Sequence, residues 1–102
     1  MKKETVYSGF DIYYNDEICI AEVNIKMINM GIEQNLWCAA DPTDTTVPES
    51  LRPQVPVTVR NNGTAPIWIQ LKPNGFLEVL STRDWDSNKM IPLRATMTWR
   101  RQ

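Results

Sequence analysis

A chain of 102 residues with 42% hydrophobic and 23% charged residues is long enough for one globular domain, and too short for two. Its 11 basic and 12 acidic residues leave a net charge of −1 with no large block of either sign, so nothing in it provides an electrostatic footprint for nucleic acid or an anionic membrane. The complete lack of histidine removes Ser-His and Cys-His nucleophile pairs and the commonest transition-metal ligand, which points to a non-enzymatic protein with no cofactor and no metal.

Residues 1–9 mix charge with Val6, Tyr7 and Gly9 and read as a tether or a short edge strand. From Phe10 the pattern alternates. Phe10, Ile12 and Tyr14 share one parity, and Asn15-Asp16 supplies a turn. Beyond it Cys19, Ala21, Val23, Ile25 and Met27 hold one face while Glu22, Asn24 and Lys26 hold the other, a period of two that favours strand over helix. Cys19 falls on the apolar face, and with no close Cys spacing both Cys19 and Cys38 are expected as buried thiols.

Residues 29–54 are irregular. They hold Gly31, the patch Leu36-Trp37-Cys38-Ala39-Ala40 and the run DPTDTTVPESLRP, and read as connection and a candidate contact surface. Val55, Val57 and Val59 then alternate with Pro56, Thr58 and Arg60, a strand whose proline suits an edge.

The stretch Ala65 to Ser81 carries two strand patterns and the chemistry that joins them. Pro73 fits the second position of a type I turn, Asn74 the third, and Gly75 the positive-φ position that closes a three-residue hairpin with a bulge. Counting outward pairs Leu71 with Leu77, Gln70 with Glu78, Ile69 with Val79 and Trp68 with Leu80. Ile69, Leu71, Leu77 and Val79 therefore share an apolar face, and Trp68, Leu80, Gln70 and Glu78 share a mixed one. A polar loop from Ser81 to Lys89 follows, then a last strand with Ile91, Leu93, Ala95, Met97 and Trp99 on one parity. The fold class this implies is all-β: one small antiparallel barrel or sandwich of about six to seven strands spanning residues 1–102.

The loop RDWDSNK resembles the start of a calcium loop, with Asp84, Asp86 and Asn88 at alternate positions, but it lacks the mid-loop glycine and the distal glutamate. A second reading suits it better. Arg83, Asp84, Trp85, Asp86 and Asn88 join an aromatic platform to hydrogen-bonding groups, the combination a sugar ring requires, although a loop tryptophan more often anchors the loop to its own core. The acid pairs Asp41/Asp44 and Asp84/Asp86 read as surface acids. No apolar run approaches the ~20 residues of a membrane span, and Met1-Lys2-Lys3 leads into Glu4-Thr5, so the expectation is a soluble chain made in a cytoplasm.

The run LRPQVPVTVRNNGTAPIWIQLKPNGFLEVLS followed by MIPLRATMTWRRQ resembles the C-terminal head domain of receptor-binding, or tail fibre, proteins of tailed phages of Gram-positive bacteria, the lactococcal siphophages among them. Arg52-Pro53 would lead into the strand Val55 to Val59, the Asn74-Gly75 hairpin would follow, and Leu93 to Trp99 would end the fold near an aromatic residue. The resemblance implies a homotrimeric head on a virion baseplate or tail tip, an adhesin that binds host cell-wall polysaccharide and contacts other phage tail proteins. The family's pocket positions on the first hairpin strand, a histidine and an acid in the lactococcal heads, correspond to Trp68 and Gln70 here, and its pocket arginine corresponds to Arg94. The expected saccharide contacts are thus Trp68, Gln70, Arg83, Asp84, Trp85, Asp86 and Arg94. The alternative is a structural virion or tail assembly module without a small ligand, in which Trp68 and Leu80 are buried against neighbouring subunits.

Overall fold

Two four-stranded antiparallel sheets pack face to face in a computed structural model that describes residues 1–28, 36–40, 45–62, 66–82 and 90–101. The strands are β1 (Lys2–Tyr7), β2 (Phe10–Tyr14), β3 (Ile18–Ile28), β4 (Trp37–Ala39), β5 (Val57–Arg60), β6 (Ile67–Leu71), β7 (Leu77–Ser81) and β8 (Met90–Arg100). The first sheet has the order β1-β2-β3-β8 and the second the order β4-β7-β6-β5. Among the described residues no ladder joins the two sheets, and the fold is a sandwich and not a closed barrel.

The described residues form eight strands against the six to seven expected, and the two that sequence left open or missed, β1 and β4, are both edges. Residues 2–7 pair with β2, because Gly9 at φ 90° turns the chain where a side chain could not. A Cβ at Gly9 would collide with the Asn24 carbonyl oxygen, whose own residue donates its N–H to the Gly9 carbonyl at 2.7 Å. Strand β4 arises inside the stretch read as connection: Trp37, Cys38 and Ala39 pair with Leu80, Val79 and Glu78. Its three residues carry no alternation long enough to register in sequence. Strand β5 begins at Val57 and not at Val55, since Pro56 has no N–H for a ladder and Val55 is 68% exposed.

The period of two sets the core. Phe10, Ile12, Cys19, Ala21, Val23, Ile91, Leu93 and Met97 from the first sheet meet Ile67, Ile69, Leu71, Leu77 and Val79 from the second. Val47, just before a short 3-10 turn at Glu49–Leu51, and Leu51, its last residue, plug one end of the sandwich. Trp99 joins them there, with its indole N–H donating to the Leu51 carbonyl at 2.9 Å.

Three polar devices fix the ends of strands. Asn15 Oδ1 accepts from the backbone N–H groups of Glu17 and Ile18 at 2.8 and 2.9 Å, which builds the β2-β3 turn. The Gly75 N–H donates to the Lys72 carbonyl at 2.9 Å and Gly75 adopts φ 89°, so the β6-β7 turn is the type I turn with bulge and its register is the one counted from sequence. Arg52 lies across that turn and donates from Nε to the Val47 carbonyl at 2.8 Å.

Asn61 fastens the two sheets at one corner. Its Oδ1 accepts from the Arg94 N–H at 2.8 Å, its Nδ2 donates to the Pro92 carbonyl at 3.1 Å, and the next residue, Asn62, donates its N–H to the Arg94 carbonyl at 2.8 Å. A side-chain amide here stands in for a strand neighbour.

Candidate ligand-binding face

The outer face of the second sheet is built row by row from its register. The first row crosses all four strands as Trp37, Leu80, Trp68 and Arg60. The second runs Ala39, Glu78, Gln70 and Thr58. Their neighbours one residue along each of β5, β6 and β7 fill the core or its rim, so these side chains are turned outward by the alternation alone.

Trp68 is 41% exposed and Trp37 40% exposed, with Leu36 beside the row at 53%. Two half-exposed indoles with an aliphatic residue between them form an apolar strip on a sheet surface. The second row is polar and ordered: Gln70 Nε2 donates to Thr58 Oγ1 at 3.0 Å, and Glu78 forms an ion pair with Lys72 at 3.1 Å. Arg60 sits directly opposite Trp68 and, among the described residues, has no ion-pair partner. The face therefore offers a flat aromatic surface, amide and hydroxyl groups held in fixed directions, and one cation at its margin.

The expected contact residues divide three ways. Trp68 and Gln70 lie together on this face. Arg94 belongs to β8 and projects from the outer surface of the first sheet, joined to the second only through the Asn61-Asn62 corner, so Arg60 is the guanidinium beside Trp68. Arg83, Asp84, Trp85 and Asp86 lie outside the described residues, as do Asn88, Asp41 and Asp44. No protein-family model matches the chain, and no curated protein matches it.

Three residues of the face were missed by reading the hairpin alone. Arg60 and Thr58 share the solvent parity of the Val57/Val59 strand, a signal present in the alternation but unused because nothing in sequence fixed that strand's register against β6. Trp37 lies in the stretch read as a candidate contact surface, but only the pairing of β4 to β7 brings it into the row.

The cysteines are both free thiols. Cys19 is buried as expected, with its Sγ 3.8 Å from the Leu51 carbonyl, and burial pushes its pKa up against a weaker opposing influence of Arg101. Cys38 is only half-buried, because it sits on an edge strand. Among the described residues no group of three or more Cys, Asp or Glu side chains could hold a metal ion.

Proposed function

We propose that this chain is a non-enzymatic adhesin head of a phage tail or baseplate, and that the outer face of its second sheet takes a saccharide of the host cell envelope. The observation that carries the reading is the half-exposed Trp68, flanked by Arg60 on one side and followed along its strand by the Gln70–Thr58 pair. A sugar ring has one apolar face that stacks on an indole and peripheral hydroxyls that need donors and acceptors around it; this surface supplies both within two adjacent rows. The polar groups are already oriented, so little rotamer entropy is lost on binding.

A second reading has its own support. Leu36, Trp37 and Leu80 prolong the apolar strip to the edge of the sheet, farther than one sugar ring needs, and such a strip suits burial between subunits of a homotrimer or against another tail protein. The two readings place Trp68 differently: open to ligand in one, covered by protein in the other.

Titration with cell-envelope polysaccharide from Gram-positive bacteria, followed by tryptophan fluorescence, tests the proposal. A saturable change that is lost in Trp68→Ala and weakened in Gln70→Ala is expected. No change at all with folded protein, together with a Trp68 that a soluble quencher cannot reach, would replace the adhesin by the assembly module.

A further inference from the structure

The apolar strip on the second sheet has a direction. The strand order β4-β7-β6-β5 and its registers set Trp37, Leu80, Trp68 and Arg60 in one row that crosses the strands. Neighbouring strands lie about 4.8 Å apart, so the backbones at Trp37 and Trp68 are separated by two spacings, about 10 Å, and Arg60 stands one spacing beyond. An extended chain of pyranose rings advances by about one strand spacing per sugar. Laid across the strands, such a chain would set one ring over Trp37, the next over Leu80 and the third over Trp68, with a fourth at Arg60. Laid along β6, it would pass from Trp68 to Gln70 and meet one indole, because side chains of one face recur at every second residue. The crosswise path uses both.

We propose that this face binds a linear, extended polysaccharide along its length, as a run of about three to four consecutive sugars crossing β4, β7, β6 and β5, and not as a single terminal sugar. The inference rests on the saccharide reading of the face and adds the length and path of the ligand. Exposure supports it, since Trp37 at 40% and Trp68 at 41% are equally open while Leu80 between them is half-buried. Apolar surface for stacking is therefore offered at two separated positions. The second row makes those positions unequal. Beside Trp68 stand Gln70 and Thr58, joined at 3.0 Å, and Arg60 follows it in the row, so a sugar there meets donors and acceptors for its hydroxyls. Beside Trp37 stands Ala39, whose side chain has no hydrogen-bonding group, so a sugar there adds stacking and little selectivity. Trp68 is thus the anchoring position and Trp37 the extension. A ligand of this length also accounts for an apolar strip that runs to the sheet edge, farther than one ring covers.

Ligand length supplies the test. The probes are size-fractionated fragments of the Gram-positive envelope polysaccharide, of one, two, three, four and six sugars, titrated by tryptophan fluorescence and calorimetry against the wild type, Trp68→Ala, Trp37→Ala and Trp37→Phe. Trp37 lies on a three-residue edge strand and takes no part in the core, so its replacement should keep the fold, which urea unfolding checks. Affinity should rise about tenfold from the single sugar to the three-sugar fragment and level off beyond four. Trp37→Ala should abolish that rise and leave the single-sugar affinity unchanged, Trp37→Phe should keep most of the rise, and Trp68→Ala should remove binding at every length. Equal affinity at every length, still lost with Trp68→Ala, would overturn the inference and leave the saccharide reading standing. A rise with length that Trp37→Ala does not change would do the same, since the chain would then run along the strands. No binding by any fragment or by the intact polysaccharide would remove both the inference and the reading beneath it. A wild-type trimer that Trp37→Ala dissociates would also overturn it, because the strip would then be a subunit contact.

Discussion

Replacing Asn61 by alanine tests how much of the sandwich depends on one side-chain amide. Asn61 is 5% exposed and links β5 to β8 by accepting from the Arg94 N–H at 2.8 Å and donating to the Pro92 carbonyl at 3.1 Å. Alanine would leave both backbone groups without this partner at a partly buried corner. Each abandoned group costs about 1–3 kcal/mol when water cannot replace the bond, and water reaches part of this corner, so a loss of about 2–4 kcal/mol is expected. Against the ~5–15 kcal/mol that holds a domain of this size together, such a loss is large. Equilibrium urea unfolding should show a lower midpoint with an unchanged slope, because the surface exposed on unfolding is the same. Hydrogen exchange at the Arg94 amide should accelerate well beyond that of Leu93 and Ala95, whose groups face β3. Asn61→Asp separates the two bonds, since it keeps the acceptor for Arg94 and sets a carboxylate against the Pro92 carbonyl. An unfolding free energy for Asn61→Ala within about 0.5 kcal/mol of wild type, with the Arg94 amide still protected, would refute the idea that this amide fastens the sheets.

Other positions yield equally direct expectations. Gly75→Ala forces a side chain into φ 89° with a Cβ 2.7 Å from Arg52 Nε and 2.9 Å from the Val47 carbonyl oxygen, and should cost about 1–3 kcal/mol in thermal or urea unfolding. In sedimentation, the protein should run as a trimer if the Trp68 strip is a subunit contact, and Trp68→Ser should weaken it more than Trp85→Ser; with 41% of one indole exposed, on the order of 100 Å² remains to be covered, about 2–3 kcal/mol per subunit before association costs. A monodisperse monomer at micromolar concentration would return Trp68 wholly to ligand binding. An aromatic disulfide reagent should modify Cys38 in the native protein and reach Cys19 only on unfolding. Because burial raises the folded pKa of Cys19 above its unfolded value, its contribution to stability is complete below the unfolded pKa and declines as pH climbs above about 9, and Cys19→Ala should flatten that decline.

Local chemistry made much of this fold legible. The Pro73-Asn74-Gly75 turn fixes the β6-β7 register by itself, since its bulge allows only one count outward, and every opposed pair from Leu71/Leu77 to Trp68/Leu80 follows. Period-two stripes in β3 and β8 mark their buried faces for the same reason: one side of each strand must be apolar. What stayed hidden depends on contacts between segments far apart in sequence. Strand β4 is held by β7 across some forty residues, and the partition of eight strands into two sheets is decided at the Asn61 corner, where a turn residue read as punctuation becomes a structural clamp. The candidate face was half visible. Trp68 and Gln70 follow from the hairpin, but Arg60 requires the β5-β6 register, and the expected partnership of Arg94 with Trp68 fails because β8 belongs to the other sheet.

The two outer surfaces of the sandwich differ in a way that bears on function. On the first sheet the outward row Thr5, Asp11, Glu22, Thr96 is satisfied internally: Thr5 donates to Asp11 at 2.6 Å, Thr96 donates to Glu22 at 3.1 Å, and Lys3 lies 3.9 Å from Asp11. Such cross-strand pairs stabilise a solvated face and leave little for a ligand to claim. On the second sheet the row Trp37, Leu80, Trp68 and Arg60 presents indoles and aliphatic carbons that gain nothing from water, and among the described residues no acid forms an ion pair with its guanidinium. The contrast lies between these two rows, and it is the ground on which the second sheet is proposed as the ligand face.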